Sequence, residues 1–68
     1  MSGQLDSSRA ELAEFGRRLR AHRTAVGESL RVAAVRFDIN HQVLARIEQG
    51  IWMPDTDLEA QLTDWMTE

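Results

Sequence analysis

A chain of 68 residues, 43% hydrophobic and without cysteine, has to hold together as one domain by packing alone; at this size only about 60% of the unfolded surface is buried, near the lower limit for a domain that stands by itself. The lack of cysteine excludes a disulfide framework and a thiolate zinc site, and the two histidines, His22 and His41, are too far apart to read as a ligand pair. The net charge of −3 argues against nucleic acid at first sight, but it hides a division along the chain: residues 1–16 carry one Arg and three acids (−2), residues 17–46 seven Arg and two acids (+5), and residues 47–68 six acids and no base (−6).

The chain order gives helices and no convincing strand. Residues 1–8, MSGQLDSS, are polar and without periodicity, and read as a flexible N-terminal tail with Asp6, Ser7 or Ser8 available to cap the first helix. From about Arg9 to Val26, Leu12, Phe15, Leu19, His22 and Val26 fall within roughly 80° of one another on a helical wheel, which predicts one long amphipathic helix ended by Gly27. Ser29 caps a short second helix, LRVAAVRF, with Leu30, Ala33, Ala34 and Phe37 pointing inward. Asp38 tolerates left-handed backbone in the turn, Asn40 supplies a new cap, and His41 to Gln49 forms a third helix closed by Gly50. Pro54 restarts the chain, Asp55 or Asp57 caps, and Leu58 to Met66 makes a fourth helix with Leu58, Leu62, Trp65 and Met66 on its apolar side.

The third helix is two-sided. With His41 at 0°, Ala45, Gln49, Gln42 and Arg46 come at roughly 40°, 80°, 100° and 140°, while Val43, Leu44 and Ile47 lie opposite. Gln can bond adenine bidentately, Arg can bond guanine O6 and N7, His can donate to a base or phosphate, and the small Ala45 allows close approach or meets a thymine methyl. Any solvent-facing helix carries such residues. Here, however, two short helices are joined by a three-residue turn, the arrangement that lays the latter helix across a duplex groove.

The chain here resembles a known family, the lambda-repressor-like helix-turn-helix domains, also called the Xre or Cro-repressor family. Residues 15–55, FGRRLRAHRTAVGESLRVAAVRFDINHQVLARIEQGIWMPD, match its outline: the arginine-rich first helix, the Ser-Leu-Arg opening of the second, the inward Ala34, the turn at Asp38-Ile39-Asn40, the Leu44 and Ile47 pair, the Arg-Ile-Glu-x-Gly close and the later Pro54. The resemblance implies an all-α, small four-helix domain over residues 9–68 with its helix-turn-helix in the second and third helices. It places His41, Gln42, Ala45 and Arg46 at base edges, and Leu30, Arg31, Asn40 and Gln49 where helix ends touch phosphates. It also pairs Arg23 with Glu48 as an inner salt bridge, which agrees with both lying at the margin of an apolar stripe.

The departures from the outline carry expectations of their own. Asp38 stands where a glycine is usual. Leu30 replaces a polar residue that tends to anchor a phosphate, so Arg31 is expected to substitute. Ala33 stands where a leucine is usual, and the usual fifth helix is lacking. The uncharged run Ile51-Trp52-Met53 replaces a link that often carries Lys or Arg. Ile51 and Met53 are therefore expected to close the core, and Trp52 with Trp65 to meet a second copy, since aromatics are enriched at interfaces.

No glycine-rich phosphate loop and no nucleophile beside a base is present, so enzymatic activity is not expected. Asp55, Asp57, Glu59 and Asp64 lack calcium-loop spacing, and solvation and helix-start preference account for them; no metal or cofactor is expected. His22, within the apolar arc of the first helix, reads as a packing residue. No apolar run is long enough to span a membrane and no secretory pattern opens the chain, so a cytoplasmic protein is expected. The expected function is sequence-specific double-stranded DNA binding as a transcriptional regulator, a Cro-like repressor of the phage or mobile-element kind by analogy, acting as a homodimer because one small helix-turn-helix makes too few contacts for tight selective binding. The alternative is a protein-interaction module of the same fold, antitoxin-like or an adaptor, meeting a basic partner through its acidic C-terminal segment.

Overall fold

A computed structural model describes the backbone of residues 2–68 and the side chains of residues 9–68. Four helices succeed one another: α1 (Ser2–Val26), α2 (Leu30–Arg36), α3 (His41–Glu48) and α4 (Thr56–Met66). There is no strand among the described residues. None of the helices is long and apolar enough to cross a membrane. α3 packs against both α1 and α2, and α4 packs on α1.

Two helix starts differ from the sequence reading. α1 is traced from Ser2 and not from Arg9, so none of Asp6, Ser7 and Ser8 stands at its beginning, and no proline interrupts that stretch. The tail expected at residues 1–8 otherwise lies outside the described side chains. α4 begins at Thr56 because Asp55 is the residue that caps, its Oδ1 accepting from the Leu58 N–H at 2.8 Å. Elsewhere the caps are the expected ones. Ser29 Oγ accepts from the Val32 N–H at 3.2 Å, and Asn40 Oδ1 from the Gln42 N–H at 2.7 Å.

The core is a single cluster: Leu19 of α1, Ala33, Ala34 and Phe37 from α2 and its end, Leu44 and Ile47 of α3, and Leu58, Leu62 and Trp65 of α4. Phe15, Leu30, Ile39, Val43 and Met66 pack around it half-buried. Val26, expected on the apolar arc of α1, is exposed because the helix runs on past the cluster. The reach of α1 across α3 is set by backbone approach. A Cβ on Gly16 would lie 2.5 Å from the carbonyl oxygens of both Ile47 and Glu48, and one on Gly50 would lie 2.9 Å from Ala13 Cα. No side chain fits between the two backbones at either point, so the C-terminal end of α3 is held directly against α1.

Three helices stop in the same way. After α1, α2 and α3, the N–H two residues past the last helical turn returns to the carbonyl five residues back: Glu28 to Arg23 at 3.1 Å, Ile39 to Ala34 at 3.1 Å, Ile51 to Arg46 at 3.1 Å. This six-to-one closure needs a left-handed residue, supplied by Gly27 (φ +78), Asp38 (φ +56) and Gly50 (φ +76). Asp38 therefore takes the conformation expected of it, at a position where a residue with a Cβ is strained.

The apolar run after α3 corrects two expectations. Ile51 and Met53 are 66% and 65% exposed, Trp52 is 42% exposed, and Trp65 is only 5% exposed. Ile51 and Met53 are thus surface residues, not core. The closure of α3 explains the first: Ile51 is pinned beside Arg46, which faces outward, and not over the cluster. Trp65, expected on the apolar side of α4 and also to meet a second copy with Trp52, is buried inside the fold, which bears out the first expectation and not the second. Its ring meets His22 edge-on at 4.6 Å and Phe37 at 5.4 Å, with the Arg36 guanidinium 5.1 Å over it. Trp65 thereby brings the largest side chain to the cluster, and His22 has the packing role expected of it.

Candidate nucleic-acid interface

α3 separates its residues as the wheel requires. Leu44 and Ile47 are fully buried, while Gln42, Arg46 and Gln49 are exposed and His41 and Ala45 half-buried on the opposite side. His41, Gln42, Ala45 and Arg46 therefore share one outward face of an eight-residue helix, about 12 Å long at 1.5 Å per residue. An α-helix is about 10–12 Å across with its side chains, which matches the roughly 12 Å width of a B-DNA major groove. Neither His41 nor Arg46 has a hydrogen-bond or ion-pair partner among the described side chains.

The residues expected at phosphates lie around the ends of α2 and α3. Arg31 is exposed in the first turn of α2, Asn40 is exposed with its carbonyl oxygen committed to the cap of α3 and its amide left as a donor, and Gln49 is exposed at the end of α3. Leu30 is half-buried against the core. It has no side-chain donor to offer.

Behind this face Arg23 and Glu48 join α1 to α3. Arg23 Nε donates to Glu48 Oε2 at 2.6 Å and Nη2 to Oε1 at 3.0 Å, a bidentate pair, while Nη1 reaches the Glu28 carbonyl at 2.9 Å. The two side chains are only 14% and 6% exposed. The hydrogen bond to Glu48 holds the Arg23 guanidinium above its ordinary range; burial opposes this and the charge of Glu48 adds to it. With each of its three guanidinium nitrogens engaged, Arg23 is a structural tie between α1 and α3. A second pair, Arg36 with Glu28, links α2 to the turn after α1, and Arg17 pairs with Glu14 along α1.

Of the seven arginines at positions 17–46, these pairs engage Arg17, Arg23 and Arg36. Arg18, Arg20, Arg31 and Arg46 are exposed and have no carboxylate partner among the described residues. Sequence reading passed over Arg20. It lines a cleft with Arg23, Leu30, Ala45, Glu48 and Gln49, between α1 and the outward side of α3. Its spacing of three residues from Arg23 puts the two on one side of α1, and that was the signal that could have found it. Gly16 was also missed, since a close backbone approach has no periodicity to show it.

The expected pair of Trp52 and Trp65 is not brought together at a surface. Trp52 stands exposed with Ile51 and Met53 on the link between α3 and α4, while Trp65 is interior.

Comparison with curated proteins and with solved structures finds no match. A family model described as a helix-turn-helix domain matches residues 14–64, from the second half of α1 through most of α4. The matched span contains the capped α2, the turn at Asp38, and α3 with its buried and outward sides, and the chain belongs to the helix-turn-helix domain family.

Proposed function

We propose that the protein is a sequence-specific double-stranded DNA-binding transcriptional regulator that lays α3 in the major groove. The observation that carries this reading is the division of α3: Leu44 and Ile47 fully buried on one side, His41, Gln42, Ala45 and Arg46 turned out on the other. Gln42 and Arg46 read base edges, His41 donates to a base or phosphate, and Ala45 keeps the approach close. Arg31, Asn40 and Gln49 hold the flanking backbone, and Arg31 supplies what Leu30 lacks. The overall charge of −3 does not oppose this, because charge acts locally: Asp55, Asp57, Glu59, Asp64 and Glu68 lie on and around α4, whereas Arg18, Arg20, Arg31 and Arg46, without a carboxylate partner among the described residues, lie on α1, α2 and α3.

The active form is a homodimer on a two-fold symmetric operator, and occupancy of that operator represses transcription. Ile51, Trp52 and Met53 support the dimer, being three consecutive large apolar side chains left exposed on a protein of this size. Trp52 is the contact, without Trp65. Selection of bound sequences from random duplexes, with the stoichiometry of the complex measured, tests function and dimer together. A two-fold symmetric consensus bound by two chains is the expected result; absence of any enriched sequence would refute the reading. Arg46→Ala should weaken binding by about 1–3 kcal/mol and relax preference at one base pair.

A second reading is supported by α4, where Asp57, Glu59 and Asp64 are exposed and unpaired among the described residues. In it the domain is an interaction module whose acidic C-terminal segment meets a basic protein partner. Activity that survives changes at Gln42 and Arg46 but is lost with Asp57, Glu59 and Asp64 neutralised would favour it.

A further inference from the structure

The cleft between α1 and α3 has the composition of a site for one phosphate group. Its walls are Arg20 and Arg23 on α1, Ala45, Glu48 and Gln49 at the end of α3, and Leu30 at the start of α2. Two guanidiniums and one carboxylate leave a net charge of +1. That positive charge resides on Arg20, because Arg23 is engaged by Glu48 at 2.6 and 3.0 Å and by the Glu28 carbonyl at 2.9 Å. Arg20 is exposed and without a carboxylate partner among the described residues. The small side chain of Ala45 leaves the mouth open, and the exposed Gln49 amide stands on the opposite wall.

We infer that Arg20, with the Gln49 amide across the cleft, holds a DNA backbone phosphate beside α3. Arg20 thus adds an anchor on α1 to those that Arg31 and Gln49 supply, in a cleft where Leu30, half-buried, has no donor to offer. The guanidinium supplies charge and two parallel N–H donors to the phosphate oxygens, and the neighbouring Arg23–Glu48 pair keeps the carboxylate in the cleft from repelling the anion. The contact carries no base information. It sets how deep the C-terminal end of α3 sits in the groove.

This inference rests on the DNA-binding reading, and the test separates the two. Binding of the full chain to its selected duplex is measured across a range of salt concentrations for the wild type, Arg20→Gln, Arg20→Lys and Arg17→Gln. Arg17 is an exposed residue paired with Glu14 and lies outside the cleft. Loss of one phosphate contact in Arg20→Gln should reduce the log–log slope by about 0.9, so that the affinity lost between 50 and 200 mM salt shrinks by about threefold. Arg20→Lys should restore the slope, Arg17→Gln should keep it, and base preference should be unchanged in all three. An unchanged slope in Arg20→Gln, or an equal drop in Arg17→Gln, overturns the assignment while leaving DNA binding intact. A wild type whose binding ignores salt overturns both. Because Arg20 is exposed, circular dichroism of Arg20→Gln should match the wild type.

Discussion

The turns that close α2 and α3 share one backbone design and send their next apolar residue to opposite places. In each, a left-handed residue allows an N–H to return to the carbonyl of the residue five positions back, Ile39 to Ala34 in one and Ile51 to Arg46 in the other. The closure sets Ile39 beside an alanine of the core and Ile51 beside an arginine of the outward face. Ile39 is consequently half-buried against the cluster and Ile51 exposed. The lesson is that hydrophobicity does not decide burial where the backbone is already fixed; the residue opposite in the closure does.

The largest expected effect tests the turn after α3. Gly50→Ala forces a side chain into left-handed backbone and toward Ala13, and should cost about 4 kcal/mol, the sum of conformational strain and overpacking. A domain of this length is stable by only about 5 kcal/mol, so the variant should keep about 1 kcal/mol and be roughly 15% unfolded at room temperature by circular dichroism. A urea midpoint near that of the wild type would show that α1 can move away from α3. Next in size is Glu48→Ala, at the end of α3, which strands the mostly buried Arg23 and should cost about 3 kcal/mol in denaturant unfolding. The two isoleucines break the comparison most directly: Ile39→Ala should cost about 1.5 kcal/mol and Ile51→Ala less than about 0.5 kcal/mol in the monomer. Equal losses would mean that Ile51 packs as Ile39 does. The smallest effect is a gain. Asp38→Gly relieves the left-handed strain at φ +56 but frees the unfolded chain, and should stabilise by about 0.5 kcal/mol in thermal melts.

The fold was legible where local chemistry decides. Ser29, Asn40 and Asp55 cap, Gly27 and Gly50 terminate, and the 3.6-residue period divides α3 into its buried and outward sides. The sequence was misleading where tertiary geometry decides. The expectation that Ile51 and Met53 return to the core weighed apolar character without the direction in which α3 releases the chain. The period of α4 put Trp65 on the apolar side, where it is; the expectation that it meets a second copy with Trp52 fails because its ring is taken up between His22 and Phe37, a contact that no single helix pattern contains. For the candidate site, the outward residues of α3 could be named from the wheel, whereas Arg20 emerged only when α1 was set against Ala45 and Gln49.

The unlike surroundings of the two tryptophans give the protein a pair of internal optical reporters. Trp65, wedged between His22 and Phe37 with its ring shielded from water, should emit as a buried indole and track the docking of α4 onto α1. Trp52 emits from a wetter setting and responds to whatever covers the link between α3 and α4. Dilution of an assembled form should shift the Trp52 emission to longer wavelength while the Trp65 component stays fixed, and denaturant should move both. Folding and association can therefore be monitored separately in one unlabelled chain.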